Sequence, residues 1–363
     1  MKKILWLCPN LNHYKYKYLN YLNTFSEIEV TILKGLGRED AGDSEISYNL
    51  PIKIIEVEIL KNSFGFSKLI RKTLGEMINE FDYIMVPRER KNLFLIIYTY
   101  FKVKNTKCKL FSYNHPVSYR GEYYDFLDIL ITRLLHSFYY KIIFYTKKSL
   151  KKALKLNLIN ANRGFFANNT IYTKKIDELY KFNIPKKQNI TLLFIGRLIP
   201  NKNLESLFDY FYELKNRLNQ KNKDLELIII GDGPKKKLVL ENIKANSGIN
   251  YVGPLTSERE IKKYMIKANY VFNPGHSGLH INHSFCYGRP YITLYRNNHA
   301  PEIDYLIDGY NGYILEGIKN IDIDRLCKIF LETNDKIYYN AYNTGKNLST
   351  DKWCSQIINA ILA

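Results

Sequence analysis

The sequence predicts an α/β protein with two doubly wound, Rossmann-like domains that face a central cleft. Short strands rich in β-branched residues alternate with helical stretches of about 10–15 residues, which is the pattern of parallel βαβ units. This alternation occurs twice, on either side of the polar stretch 181–188. The chain has 363 residues, enough for two separate hydrophobic cores.

The first run of elements predicts a domain over residues 1–185. It opens with the strand KKILWLC at 2–8 and an amphipathic helix over 14–25. The further strands are expected at 29–33, 52–59, 83–87, 109–114, 141–146 and 164–169, and the further helices near 66–80, 91–101, 122–139 and 147–157.

The second run predicts a domain over residues 186–345, and a final helix over 346–363 is expected to pack back on the first domain. Ligands of doubly wound folds bind at the carboxyl ends of the strands, so the loops that follow them are the candidate site. The strands are expected at 189–198, 225–231, 249–253, 269–275 and 290–296, and the helices at 203–219, 234–246, 257–268 and 279–287.

The net charge of +19 indicates an anionic partner, such as nucleic acid, a membrane surface or a phosphorylated substrate. The surplus is concentrated in residues 1–185, with 30 Lys and Arg against 17 Asp and Glu. The chain is also rich in Lys, Asn, Ile and Tyr, a bias that an AT-rich genome produces without any functional cause. The charge alone does not decide between these explanations.

Cysteine usage and hydropathy predict a cytoplasmic protein. The five cysteines are scattered and form no CxxC pair, so we expect reduced thiols. No apolar run reaches the roughly 18 residues of a membrane span. The apolar stretch after Met1 is shorter than the core of a signal peptide and fits a first strand.

Three strand-to-helix loops of the second run carry the candidate binding groups. In the first, Gly196 allows a close turn, and Arg197 and Lys202 precede a helix with its cap near Asn203. Two cations beside a helix N-terminus are typical of a diphosphate site. A solvated turn with two surface cations is the alternative.

The second loop contains Gly231 and Gly233, followed by Pro234 at the expected first helical position. Such a tight turn accommodates a phosphate, a base or a ribose, although many α/β proteins contain one. In the third loop the backbone N–H groups of His276–Leu279 are expected to point at the ligand. Both loops therefore extend the predicted anion site.

Three histidines near the third loop raise the question of a metal site. His276, His280 and His283 are spaced four and three residues apart. However, the predicted helix begins after Gly278, so His276 lies off it, and no Asp or Glu occurs between residues 261 and 301. We therefore expect no metal here.

In order and spacing, these loops resemble those of the family 4 retaining glycosyltransferases of the GT-B fold, also called glycosyl transferases group 1. The resemblance covers nearly all of 189–316 and extends more loosely to the first half. The motifs are GRLIPNKNLESL, LIIIGDGPKKKL, INYVGPLTSEREIKKYMIKANYVFNPG, YGRPYI and PEIDYLIDGYNGYIL, with LNHYKYKYLNYL and FFANNTIYT in the first half.

The resemblance implies that the second domain binds a nucleotide-sugar donor, a UDP- or GDP-sugar, without a tightly bound cofactor or a required metal. It implies a glycan or lipid-linked acceptor bound by the first domain. The donor-binding residues carried over are Gly196, Gly231, Gly233, Pro254, His276, Ser277, Gly278, Leu279, His283 and Glu302.

The chain departs from the family at two glutamates that normally lie eight positions apart. Gly275 and His283 occupy these positions. His283 is expected to hold the ribose, since a neutral imidazole accepts one hydrogen bond. Some divergent members of the superfamily share this Pro-Gly start and this histidine. Glu302 meets the ribose or a phosphate, or else caps the next helix.

The first domain is expected to supply an acceptor site at its strand ends. Asn12, His13 and Tyr14 follow the first strand, and capping of the first helix is the alternative role of Asn12. His115 follows a later strand and resembles the family histidine that lies over the donor sugar. Arg197, Lys202 and His115 are therefore the predicted catalytic residues.

The resemblance implies front-face attack with retention, in which the departing phosphate accepts the acceptor's proton. Preorganised groups that meet the developing charge are each worth about 3 kcal/mol. The predicted role is synthesis of cell-surface polysaccharide or glycoconjugate. Residues 101–163 hold 13 Lys and Arg against three acids, interleaved with aromatics, which predicts peripheral binding to the inner face of the plasma membrane.

Three other function classes compete with this prediction. A nucleic-acid-binding protein fits the charge, but no recognition module is present and we expect no nucleic-acid partner. A sugar-nucleotide-binding protein with impaired catalysis fits the two absent glutamates. A nucleotide-sugar epimerase shares the fold but needs paired carboxylates near these loops, and the sequence lacks them there.

Overall fold

The computed structural model describes residues 1–8, 11, 13–35, 49–57, 68–114, 126–186, 189–332 and 334–363. These residues form two compact units. The first combines the described residues of 1–172 with 350–363, and the second contains those of 173–349.

The first unit is built on a seven-stranded parallel sheet. Its strands are β1 (Lys2–Cys8), β2 (Ile28–Lys34), β3 (Ile54–Glu56), β4 (Tyr83–Met85), β5 (Lys109–Asn114), β6 (Lys141–Phe144) and β7 (Gly164–Phe166). The spatial order is β3-β2-β1-β4-β5-β6-β7, so the chain reverses direction across the sheet between β1 and β4. This reversal is the mark of a doubly wound fold.

Helices cover both faces of this sheet. The first-unit helices that precede residue 173 are α1 (His13–Leu22), α2 (Lys68–Met77), α3 (Leu93–Val103), α4 (Phe126–Ser137) and α5 (Lys147–Lys155). One core layer combines the sheet with α2, α3, α4 and α5, and the opposite layer combines it with α1.

The second unit is built on a six-stranded parallel sheet in the order β10-β9-β8-β11-β12-β13. The strands are β8 (Ile190–Ile195), β9 (Leu225–Ile230), β10 (Ile249–Gly253), β11 (Tyr270–Phe272), β12 (Tyr291–Leu294) and β13 (Gly312–Leu315). The chain reverses direction between β8 and β11, which are hydrogen-bonded neighbours. Their two following loops therefore diverge at the switch point, the usual ligand position in such sheets.

The helices of the second unit are α6 (Lys174–Leu179), α7 (Leu204–Asn219), α8 (Lys236–Ala245), α9 (Glu258–Met265), α10 (His280–Cys286), α11 (Lys319–Leu331) and α12 (Lys336–Asn347). Helices α7 to α10 alternate with strands β8 to β12, α6 precedes β8, and α11 and α12 follow β13. The core packs α7 and α11 against the sheet, with Phe211, Leu214 and Phe272 fully buried.

A last helix, α13 (Thr350–Leu362), returns to the first unit. Trp353 is buried against Tyr18 and Trp6, and its indole N–H donates to the Tyr113 hydroxyl at 2.9 Å. At the other end of α13, the buried Lys141 amine donates to the carbonyl of Ala360 at 2.9 Å. A cation at a helix C-terminus satisfies carbonyls that have no partner within the helix.

The predicted fold class, with two doubly wound parallel α/β sheets, is confirmed. One local prediction at a helix start was wrong, since Pro234 does not begin α8, which starts at Lys236. Asn203 occupies the predicted cap position of α7, in a left-handed conformation with φ 52° and ψ 52°, and its side chain makes no cap hydrogen bond. Across the described residues, no helix has the length and apolarity needed to cross a membrane.

Candidate functional site

The candidate site lies at the switch point of the second sheet and is formed by three loops. We call them the β8 loop (196–203), the β11 loop (273–279) and the β12 loop (295–300), after the strands that precede them. The first two leave neighbouring parallel strands, so their backbones meet at the same sheet edge. The sequence motifs predicted as ligand-binding therefore come together in space.

Glycines bring the turn after β9 into direct contact with the β8 loop. Gly196, Gly231 and Gly233 all have positive φ, between 145° and 155°. A Cβ on Gly231 would overlap the carbonyl of Gly196, and one on Gly233 would lie 2.6 Å from the carbonyl oxygen of Leu198. These positions therefore need glycine for backbone packing.

Lys202 is a buried cation that ties the β8 loop to the β11 loop. Its side chain is only about one-twentieth exposed, and its Nζ donates to the His276 carbonyl at 2.6 Å. Nζ also lies 3.4 Å from His280 Nδ1. Burial, with a smaller contribution from the Arg197 charge, lowers the pKa of Lys202 to about 8. Lys202 is therefore fixed within the site, whereas Arg197 is exposed.

The backbone of the β11 loop is held from both sides. The N–H of His276 donates to the Asn201 carbonyl at 2.7 Å. The N–H of Ser277 donates to His299 Nδ1 at 3.0 Å, while the Ser277 carbonyl accepts from Ala300 N–H at 2.8 Å. Rigid support of this kind preorganises a binding loop.

These hydrogen bonds reduce the number of backbone N–H groups in the β11 loop that remain open, that is, available to a ligand. Of the four predicted N–H groups, those of His276 and Ser277 are used within the protein. Those of Gly278 and Leu279 make no hydrogen bond to any described residue. The candidate anion site is thus narrower than the sequence predicted, with two amides rather than four.

The histidines of the site are held neutral. Burial is the largest cause that lowers the pKa of His276, His280 and His299, and the Lys202 charge adds to it in each case. His299 accepts from Ser277 at Nδ1, so Nε2 carries the proton and donates to the Leu294 carbonyl at 2.9 Å. Among the described residues, no group of three or more His, Cys, Asp or Glu has the arrangement of a metal site.

His283 makes a contact that the sequence did not predict. Its Nε2 lies 2.9 Å from the Glu258 carboxylate, which also accepts from the Tyr287 hydroxyl at 2.6 Å. Glu258 begins α9, 25 residues earlier in the chain, and no spacing rule links the two positions. The predicted role of His283 toward a ribose stays a prediction, with Glu258 now identified as its partner.

Gly275 has no space for a side chain. A Cβ there would overlap the backbone of Asn201 and Lys202. Gly278 also lies at a close approach, since its Cβ would be 3.5 Å from Glu302 Oε2 and 3.1 Å from the Ala300 methyl group. The buried Glu302 carboxylate therefore faces the β11 loop at Gly278.

The remaining predicted site residues are either distant in sequence from the three loops or only partly described by the structure. Pro254 is exposed on the turn that follows β10. Asn12 and His115 lie outside the described residues. The backbone of His13 and Tyr14 forms the start of α1, but the structure does not describe their side chains.

Comparison with known proteins gives matches at the level of family and fold. Residues 189–325 match the family described as Glycosyl transferases group 1. The chain is 24% identical over 317 residues to an uncharacterised glycosyltransferase of Methanocaldococcus jannaschii, covering 81% of this chain and 75% of that protein.

Solved structures match over nearly the whole chain. HepE of Anabaena, in a complex with UDP, has a TM-score of 0.69 at 13% identity, with all of both chains covered. A glycosyltransferase of Rickettsia africae has a TM-score of 0.69 at 16% identity, covering 99% of this chain and 98% of that one. At these identities the likeness shows the fold.

The paired Rossmann-like sheets, the loops at the switch point and these matches define the class of the chain as a glycosyltransferase of the GT-B type. Within that class, residues 189–325 are similar to the glycosyl transferases group 1. The resemblance predicted from the sequence motifs is thereby confirmed for this part of the chain.

Proposed function

We propose that the chain transfers a sugar from a UDP-sugar to a glycan or lipid-linked acceptor, with retention of configuration. The observation that carries the proposal is the pairing of Arg197 and the buried Lys202 with the open amides of Gly278 and Leu279 at the switch point. We infer that these two cations and two N–H donors act on one ligand.

This set of groups fits a diphosphate. A nucleoside diphosphate carries its charge on oxygens that accept several hydrogen bonds, and buried donors interact with it more strongly than donors in water. Lys202 is positioned by its bond to the His276 carbonyl, so little reorganisation is needed when charge develops on the leaving group. Arg197, being exposed, remains available to fold over the phosphates.

In the proposed reaction, the bond between the anomeric carbon and the diphosphate oxygen breaks while an acceptor hydroxyl attacks from the same face. The hydroxyl proton passes to the departing phosphate oxygen, and the products are the glycoside and UDP. Arg197 and Lys202 stabilise the charge on the leaving diphosphate. No protein carboxylate is needed as a nucleophile in this scheme.

The choice of UDP is supported by the related structures, since HepE of Anabaena is solved in complexes with UDP and with UDP-glucose. A GDP-sugar is the alternative donor. We assign Glu302 and His283 to donor recognition, because Glu302 faces the β11 loop at Gly278 and His283 lies on α10, the helix that follows this loop.

We also propose that the protein acts at the cytoplasmic side of a membrane, in the synthesis of cell-surface polysaccharide or glycoconjugate. The support is electrostatic. Residues 101–163 carry 13 basic and three acidic residues, which favours an anionic lipid surface. A lipid-linked acceptor would be presented at that surface.

The test is a panel of nucleotide sugars, first by thermal shift and then by release of nucleoside diphosphate. We expect UDP and one UDP-sugar to raise Tm, and that sugar to release UDP with an acceptor. Arg197→Met should weaken UDP binding by at least about tenfold, while Lys237→Met, an exposed lysine on α8, should not.

Three results would contradict parts of the proposal. If no nucleotide raises Tm, the diphosphate site is wrong. If UDP binds but no donor releases UDP with any acceptor, the chain is a sugar-nucleotide-binding protein. If NMR of the product shows the inverted anomer, the retaining mechanism is wrong.

A further inference from the structure

Helix α4 carries a stripe of large apolar side chains on its solvent side. Phe126, Leu127, Leu130, Ile131 and Leu134 are each between 40% and 70% exposed. Their spacing places them along one side of the helix. Together they leave on the order of 500 Å² of apolar surface to solvent, the size typical of an interaction patch.

The opposite side of α4 is fixed to the first unit, so the stripe cannot rotate inward. Thr132, Leu135 and His136 are buried. Arg133 donates to the carbonyls of Asn157 and Leu156 at 2.9 and 3.0 Å, and His136 Nδ1 lies 2.9 Å from the Leu158 carbonyl oxygen.

The helices on either side of α4 supply positive charge. The strand order β4-β5-β6-β7 with right-handed crossovers places α3, α4 and α5 side by side in that order. Helix α5 contains Lys147, Lys148, Lys151, Lys152 and Lys155 and no acidic residue. On the other side, Lys102, Lys104 and Lys107 are exposed at and after the end of α3.

We propose that α4 docks the protein on an anionic phospholipid bilayer. The stripe enters the boundary between headgroups and acyl chains, and the lysines of the two flanking segments bind lipid phosphates. The charge pattern favours this partner, because an apolar stripe between two basic margins complements an anionic bilayer. The inference rests on the proposed membrane association, and it does not depend on the proposed sugar transfer.

The experiment measures sedimentation of the full chain with vesicles of 30% phosphatidylglycerol in phosphatidylcholine, and with vesicles of phosphatidylcholine alone. We expect the triple variant Leu127→Glu, Leu130→Glu, Leu134→Glu to partition at least about tenfold less than the wild type on the anionic vesicles. The matched control is Leu240→Glu, a leucine that is 43% exposed on α8 of the second unit, and it should bind as the wild type does.

The contribution of the α5 lysines that flank α4 is tested separately. Lys148→Gln, Lys151→Gln and Lys155→Gln should each weaken binding to anionic vesicles by roughly fivefold, and added salt should do the same to the wild type. Lys237→Gln on α8 is the control. Thermal melting confirms that each variant is folded, and UDP binding by the α4 variants should equal that of the wild type.

The outcomes separate this inference from the proposed function. If the triple variant binds anionic vesicles as strongly as the wild type does, the proposed role of α4 is wrong. Absence of vesicle binding by the wild type would overturn both the docking surface and the proposed membrane association, and would leave sugar transfer to its own test. If the wild type is a dimer that does not bind vesicles, and the triple variant is a monomer, the stripe serves self-association instead.

Discussion

Lys202 shows how burial changes the function of a single residue. A surface lysine stays charged far above neutral pH, but burial lowers the pKa of Lys202 to about 8. At pH 7 the amine is still mostly protonated, as a diphosphate site needs. Its charge is lost as the pH rises past about 8, well within the range of an enzyme assay.

We therefore predict that kcat/KM falls above about pH 8, because this parameter reports ionisations of the free enzyme. A bound diphosphate stabilises the ammonium form, so the fall in kcat should come at a higher pH. The pH dependence of both parameters, measured from pH 6.5 to pH 10, checks this. In Lys202→Arg the decline should disappear, since a guanidinium stays charged. A wild-type kcat/KM that is constant to pH 9.5 would contradict the assignment.

The individual residues of the site also show what sequence reasoning can and cannot reach. Arg197, Lys202 and the β11 loop could be predicted as site residues because glycines and cations at strand ends have a recognisable spacing, and their role stays a prediction. That Lys202 turns inward to the His276 carbonyl was not predictable, since it depends on where two loops meet. Likewise, the His283–Glu258 contact joins two helices that no sequence period connects.

At the scale of the element, the β11 loop is the part of the site in which packing most restricts the sequence. The family glutamate is absent at Gly275, and the structure gives a steric reason for it. The backbone of Asn201 and Lys202 occupies the volume that a side chain would need. The two loops approach each other more closely than a glutamate at this position would permit.

We predict that Gly275→Ala destabilises the second unit by about 1–3 kcal/mol, the range for overpacking at a rigid site. UDP binding should weaken as well, because the β11 loop must shift. The matched control is Gly248→Ala, where the added methyl group meets chiefly the flexible end of Lys215. Urea denaturation and UDP titration measure both effects. Equal stability of the two variants would show that the loop adapts.

Helix and strand positions were largely predictable because hydrophobic periodicity fixes them locally. Strands β8 to β12 of the second unit lie within the predicted stretches, since each is a short apolar run between turn residues, whereas β13 was not predicted. Helix starts were less predictable. Pro234 was expected to begin α8, which starts at Lys236, and the left-handed conformation of Asn203 at the cap of α7 was not predicted, although asparagine tolerates it better than most residues.

At the scale of the whole molecule, the first unit is discontinuous in sequence. Its described residues before 173 are completed by Thr350–Ala363, and the second unit lies between them in the chain. Helix α13 contributes Trp353, Cys354 and Ile357 to the core of the first unit, all at most 1% exposed. Its loss would uncover one face of the first sheet.

We predict that a chain truncated after Ser349 retains a folded second unit but loses cooperative folding of the first. Hydrogen exchange should show rapid exchange across the first sheet, whereas amides of β8, β9 and β11 stay protected. A truncation after Ile361 is the control, because it removes only exposed residues and keeps the carbonyl contacts of Lys141. Full protection of the first sheet in the shorter chain would contradict the role of α13.

The late position of α13 has a consequence for synthesis on the ribosome. At about 5–20 residues per second, translation of the second unit takes roughly 10–35 s. Throughout that interval the nascent first sheet lacks the tryptophan and aliphatic side chains that cover one of its faces. Order of synthesis and order of folding therefore differ, and the half of the protein made first is the one most exposed to chaperones.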